Sequence, residues 1–227
     1  MNRKLRQVAW IIVVLMSLNA CAWFQSQEEK PADQLIRDGM DNYNDGKYTQ
    51  AIEDFEKLRD WYPFSKYAIL AELKVADAYY NLKKYEDAVF AYDQFEKLHP
   101  RNDAIPYVLY RIGRCYFNQI DTVDRDQTAA WKALDGFDRL TTLFPDSSYA
   151  RLAEGHMVDC YKSLAGHDYY VGVYYYRSRH YKAALERFKS IIINYPDVGI
   201  HKDAMNYIAN CEALISQMEA GEDTDRN

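Results

Sequence analysis

The sequence predicts an all-α protein: a right-handed solenoid of about five helix pairs, the last incomplete, with one long fused helix around residues 148–178. Three observations predict it. First, a ladder of apolar residues precedes a proline four times. Counting back from Pro63, Pro100, Pro145 and Pro196, the twelfth residue is Ala51, Ala88, Ala133 or Ala184, and the eighth is Phe55, Tyr92, Phe137 or Phe188. The fifth is Leu58, Phe95, Leu140 or Ile191. Offsets of four and three set these residues on one face of a helix that the proline closes. Second, Ala76, Gly113, Val158 and Ala209 stand thirteen residues beyond the same prolines, a place for small residues where a neighbouring helix crosses closely. Third, the turns Gly46-Lys47-Tyr48, Lys83-Lys84-Tyr85 and Arg179-His180-Tyr181 are each preceded at fixed offsets by a small residue and a tyrosine: Gly39 and Tyr43, Ala76 and Tyr80, Gly172 and Tyr176. A helix repeated in this way cannot bury its stripe alone and stacks on its neighbours.

Taken in order, the chain begins with a segment outside the fold. Arg3, Lys4 and Arg6 precede an apolar run from Val8 to Leu18, too short to span a bilayer but suited to a secretory signal peptide over 1–20. It runs into Leu18-Asn19-Ala20-Cys21, which resembles a bacterial lipobox. The resemblance implies a lipidated Cys21 at the mature amino terminus, with more than the two signals that stable anchoring requires. Ala22 follows, with no Asp to favour inner-membrane retention, so the periplasmic face of the outer membrane is expected. Residues 21–32 read as a flexible lipidated tether and 33–218 as the solenoid.

Within the solenoid the first two repeats are 37 residues apart, and two irregularities follow. Pro100 to Pro145 is 45 residues, the surplus lying in a polar loop around Asn118–Asp126. Pro145 to Pro196 is 51 residues with no proline between. The surplus of 14 is close to four helical turns, so one long helix from about Ser148 to Ser178 keeps its stripe in phase. Gly155, Gly166 and Gly172 weigh against it, each costing nearly 1 kcal/mol relative to alanine; a break near Gly166 is the alternative. A last helix from about Lys202 to Met218 acts as a cap, and 219–227 reads as a disordered acidic tail. Small and aromatic residues at these offsets resemble the tetratricopeptide repeat, about three residues longer than the usual 34.

Composition narrows function. Removing Arg3, Lys4 and Arg6 from the 28 basic residues leaves 25 against 34 acidic, a net charge of −9, with no basic stripe for a nucleic-acid backbone. Cys115, Cys160 and Cys211 each stand fifteen residues after a repeat-closing proline, with Ala78 in that place after Pro63. They are one packing position copied along the stack, too far apart for disulfides and not convergent on a metal. Most of the 21 tyrosines serve as wedges between helices. No glycine-rich phosphate loop, paired-histidine zinc helix or nucleophile elbow occurs, and five scattered histidines stand one per element. The chain reads as a non-enzymatic protein without metal or cofactor.

Several strings resemble the BamD family, the tetratricopeptide lipoproteins of the outer-membrane β-barrel assembly machinery. They are Trp61-Tyr62-Pro63-Phe64-Ser65-Lys66-Tyr67, Asp124-Arg125-Asp126, Phe144-Pro145-Asp146-Ser147-Ser148-Tyr149, and His167-Asp168-Tyr169-Tyr170-Val171 leading to Tyr195-Pro196. Two features depart from that family: Gln127 stands where proline commonly follows the Asp-Arg-Asp loop, and the fifth repeat is one helix short. The resemblance implies a scaffold that binds the POTRA region of the barrel-forming subunit, with accessory lipoproteins as further partners, and helps deliver unfolded outer-membrane proteins. It also implies a partner-binding role for Arg187, whose alternative is a solvated surface charge. Tyr62, Phe64 and Tyr67 are the candidates for an aromatic groove that receives the substrate's terminal signal, although packing between the first two repeats accounts for them equally. The alternative function is another periplasmic tetratricopeptide adaptor, for polysaccharide export or secretin assembly.

Overall fold

The computed structural model describes residues 30–225. Cys21, the signal segment and most of the tether lie outside the described residues. Among those described, nine helices follow one another: α1 (Ala32–Asn44), α2 (Tyr48–Trp61), α3 (Ala68–Asn81), α4 (Tyr85–Leu98), α5 (Ile105–Phe117), α6 (Thr128–Leu143), α7 (Ser148–Arg177), α8 (Tyr181–Asn194) and α9 (His201–Asp225). Each packs on the next, and α5 also touches α7. The result is the all-α solenoid of four helix pairs plus a closing helix.

The proline ladder is the core. Every rung from Ala51 to Ile191 is buried, and burial of each phenylalanine or leucine contributes about 1.5–3 kcal/mol. Glycine lets the paired helices approach: a Cβ at Gly39, Gly113 or Gly172 would stand 2.5, 2.5 or 2.8 Å from the ring of Phe55, Phe137 or Phe188. In the second pair Ala76 and Tyr92 hold the equivalent positions.

The turns repeat as closely as the helices. Gly46, Lys83 and Arg179 take left-handed φ values of 75°, 59° and 63°. The next N–H in each turn closes back on the helix, Lys47 to Asn42 at 2.8 Å, Lys84 to Tyr79 at 3.0 Å and His180 to Tyr175 at 2.9 Å, a Schellman-type end. Tyrosines brace it: Tyr43/Tyr48, Tyr80/Tyr85 and Tyr176/Tyr181 meet edge to face at 5.4, 5.7 and 5.6 Å. Between repeats, Asn81 donates to the Tyr43 hydroxyl at 2.7 Å and Asn118 to the Tyr80 hydroxyl at 2.8 Å. Cys115, Cys160 and Cys211 are buried and free.

The long helix α7 runs unbroken for 30 residues. Gly166 does not interrupt it, because the space it leaves is filled from outside. A Cβ there would lie 2.9 Å from Cγ1 of Val123, and His167 Nδ1 meets the Val123 carbonyl at 2.6 Å. The inserted loop therefore packs on α7 at its glycine. At the carboxy terminus the helix continues to Asp225 instead of ending at Met218. Glu219 and Ala220 are strong helix formers with no proline to stop them, and the Glu219 carboxylate lies 2.9 Å from Lys182 Nζ on α8. The segment read as a disordered tail is thus helical as far as Asp225.

Candidate functional site

Asp168 lies on α7 four residues before Gly172, so it shares the face that glycine presents to α8. Its carboxylate is buried and gathers three donors: Arg187 Nη1 at 2.9 Å, Ser190 Oγ at 2.9 Å and the Tyr195 hydroxyl at 3.3 Å. Arg187 and Ser190 are three apart on α8, and Tyr195 follows the end of that helix. A buried charge needs such a set of donors. Burial, and then the negative charge of Asp168, push the Tyr195 hydroxyl up to about 12, so it remains a donor.

The Arg187 side chain is 45% exposed, with one edge of its fork held by Asp168. No other hydrogen bond from its guanidinium to a described residue forms. Trp131 of α6, 50% exposed, lies 6.2 Å from the Tyr195 ring. Together with Leu164, His167 and Asn194 these residues line an open cleft of about 420 Å³. Its rim is fixed by Gln127, which donates to the Thr122 and Arg125 carbonyls at 3.1 and 3.0 Å and accepts from Ser163 Oγ at 2.7 Å. Gln127 therefore folds the Asp-Arg-Asp loop through its side chain. The cleft offers a positioned guanidinium beside an exposed indole, which suits recognition of a carboxylate next to an apolar surface.

The three aromatic candidates lie at the other end of the stack and do not join this cleft. Tyr62 and Tyr67 are half-buried against the core of the first repeats. Phe64, in the α2–α3 turn, is 100% exposed, and Trp61, Ile69 and Leu70 nearby are exposed as well.

Ser190 and Trp131 were not singled out from the sequence, and Asp168 and Tyr195 stood only within strings that carry the resemblance, with no site role; yet the repeat carried a signal for these two. Glu72 stands four residues before Ala76, as Asp168 does before Gly172, and His99 precedes Pro100 as Tyr195 precedes Pro196. Glu72 Oε2 and His99 Nε2 are 2.7 Å apart, so both repeats join an acid on the first helix to the residue before the proline. A second buried carboxylate, Asp77, accepts from the hydroxyls of Tyr92 and Tyr107 at 2.6 Å each and from Lys74 Nζ at 2.9 Å. Burial, and then Asp77, push both phenols up. Here the clue was a tyrosine at 92 where the other repeats have phenylalanine.

Comparison with known proteins finds relatives of the chain by sequence. The outer membrane protein assembly factor BamD of Neisseria gonorrhoeae is 28% identical, over 98% of this chain and 90% of the relative. The protein of the same name from Caulobacter vibrioides is 29% identical, over 80% of this chain and 61% of the relative. Among solved structures, the TPR2AB domain of yeast Sti1 is similar at 20% identity, with a TM-score of 0.45 over 83% of this chain and 73% of that one. Residues 28–226 match the family YfiO, described as outer membrane lipoprotein. The chain belongs to the YfiO family of outer membrane lipoproteins.

Proposed function

We propose that this chain is a non-enzymatic scaffold in the assembly of outer-membrane β-barrel proteins. It is held at the periplasmic face by lipid on Cys21, binds the POTRA region of the barrel-forming subunit through Arg187, and helps deliver unfolded barrel proteins for insertion. Membership of the family and the assembly-factor relatives support the general reading. The observation that carries the finer one is the fixed, half-exposed guanidinium of Arg187 beside Trp131. A partner carboxylate meeting it gains a charge-assisted hydrogen bond worth about 1.5–3 kcal/mol. Because Asp168 already orders the side chain, little rotamer entropy is lost on binding. Exposed Phe64, with Trp61, Ile69 and Leu70 nearby, is the apolar surface proposed to receive the aromatic end of a client chain, with Tyr62 and Tyr67 packed on the core at the same turn.

Capture with the lipidated full chain, followed by mass spectrometry, tests this reading. Recovery of a POTRA-bearing barrel protein is expected; recovery of a secretin or an export porin in its place would favour the adaptor alternative. Replacing Cys21 by Ser is expected to release the protein from membranes.

A further inference from the structure

Away from the Arg187 cleft, a second cavity opens at the carboxy-terminal end of the stack, between the α7–α8 turn and the last turns of α9. Its volume is about 520 Å³, within the roughly 300–1,000 Å³ usual for small-ligand sites. It exists because α9 is long. α3 and α5 stop at Asn81 and Phe117, eighteen and seventeen residues after Pro63 and Pro100, level with the turns that follow them. α9 passes the equivalent point at Leu214 and runs to Asp225, so Ile215, Met218 and Glu219 form a wall beside the α7–α8 turn. Two ion pairs hold α9 against α8, Lys189 with Glu212 at 3.2 Å and Lys182 with Glu219 at 2.9 Å.

The opposite wall is basic. Arg179 and His180 come from the turn and Lys182 from the first turn of α8. Of the residues that line the cavity only Glu219 is acidic, and Lys182 takes it. Among the described residues no carboxylate lies within ion-pair distance of Arg179 or His180. His180 instead stands edge-on to the Tyr175 ring at 6.3 Å. Arg179 also holds a left-handed φ of 63°, a conformation that side chains other than glycine rarely adopt. In the first pair Gly46 fills that turn position. The apolar surface is Tyr175, Tyr181, Ile215 and Met218, the last of them 54% exposed. Cations thus line one side of the cavity and an uncovered apolar wall the other, in a chain whose net charge is −6.

We propose that this cavity binds an anionic phospholipid, with its phosphate on Arg179 and His180 and the upper part of an acyl chain along Tyr175, Ile215 and Met218. Arginine's planar fork meets two phosphate oxygens at once, through charge-assisted hydrogen bonds. The apolar wall facing it fits a molecule in which charge and hydrocarbon are joined, whereas a free anion would leave Ile215 and Met218 uncovered. The choice of a lipid rests on the proposed anchoring through Cys21, which keeps the chain beside a bilayer.

Native mass spectrometry of the full lipidated chain in a nonionic detergent counts bound lipid directly. Phosphatidylglycerol is expected to form a one-to-one adduct, and phosphatidylcholine and glycerol 3-phosphate to bind at least about tenfold more weakly. Glycine suits the left-handed backbone at 179, so Arg179→Gly is expected to weaken phosphatidylglycerol at least about tenfold while melting no lower than the parent. Lys83→Gly makes the same change at the equivalent turn of the second pair, where φ is 59°, and is expected to bind the lipid as the parent does. Equal adducts for the two lipids, glycerol 3-phosphate binding as tightly as phosphatidylglycerol, or undiminished binding by Arg179→Gly would each overturn the proposal. A clearly lower melting temperature for Arg179→Gly, or equal loss in Lys83→Gly, would overturn it as well. So would displacement of the lipid by an equimolar leucine–glutamate peptide, which would assign the cavity to a polypeptide. Adducts are read in detergent, and Arg179→Gly is expected to stay on membranes and capture the barrel subunit as the parent does. Failure here is therefore distinct from failure of the anchoring and scaffold readings.

Discussion

Replacing Gly172 by Ala tests how the α7–α8 contact positions the Arg187 cleft. Two effects oppose each other. In the interior of a helix, alanine gains about 1 kcal/mol over glycine. The new methyl, however, would meet Cε1, Cζ and Cδ1 of Phe188 at 2.8, 2.9 and 3.2 Å. That ring cannot retreat: it is fully buried, stacked on Tyr207 at 4.7 Å and flanked edge-on by Tyr169 at 5.8 Å. Overpacking of this kind costs about 1–3 kcal/mol. The balance is a net loss of up to about 2 kcal/mol, a fall of up to about 4–8 °C at about 2–4 °C per kcal/mol for a chain of this size. Thermal melting monitored by helical circular dichroism measures it. Because α8 must move outward, the 2.9 Å contact between Arg187 and Asp168 loosens as well. Adding Phe188→Leu should recover part of the loss. A Gly172→Ala variant that melts higher by the full propensity gain would refute the reasoning.

Other consequences follow from the buried polar groups. Asp77→Ala leaves Lys74, Arg111, Tyr92 and Tyr107 without their shared acceptor, and denaturant unfolding should show a loss of about 3–5 kcal/mol. Burial pushes the thiols of Cys115 and Cys160 up to about 12; iodoacetamide near pH 8 should leave both unmodified in the native chain and label them once urea is added. His156 is held below its ordinary value of 6.5 by burial and Arg114, against the opposite pull of Asp159. The unfolded chain therefore takes up the proton first as pH falls through that value, so stability present at neutral pH declines towards pH 5. His156→Phe should flatten that part of the melting-temperature profile.

What the sequence revealed and what it hid divide along a physical line. The ladder, the turns and the fused helix were legible because each depends on steric periodicity, which residue offsets express directly. The continuity of α7 at Gly166 was open, since the cost of a glycine is local whereas its compensation comes from Val123 in a distant loop. Gln127 looked like a disruption of that loop, and only its side-chain hydrogen bonds reveal it as the brace. Arg187 could be identified through resemblance, but its partner Asp168 lies 19 residues away on another helix. Comparing Glu72 and His99 across the repeats would have exposed the pairing of Asp168 with Tyr195, but not that with Arg187.

The most direct test of the account is the affinity of the barrel subunit's POTRA region for the parent chain and for Arg187→Gln, which keeps a donor for Asp168 while removing the charge. A weakening of at least about thirtyfold is predicted, with the melting temperature little changed. Equal affinities would contradict the account.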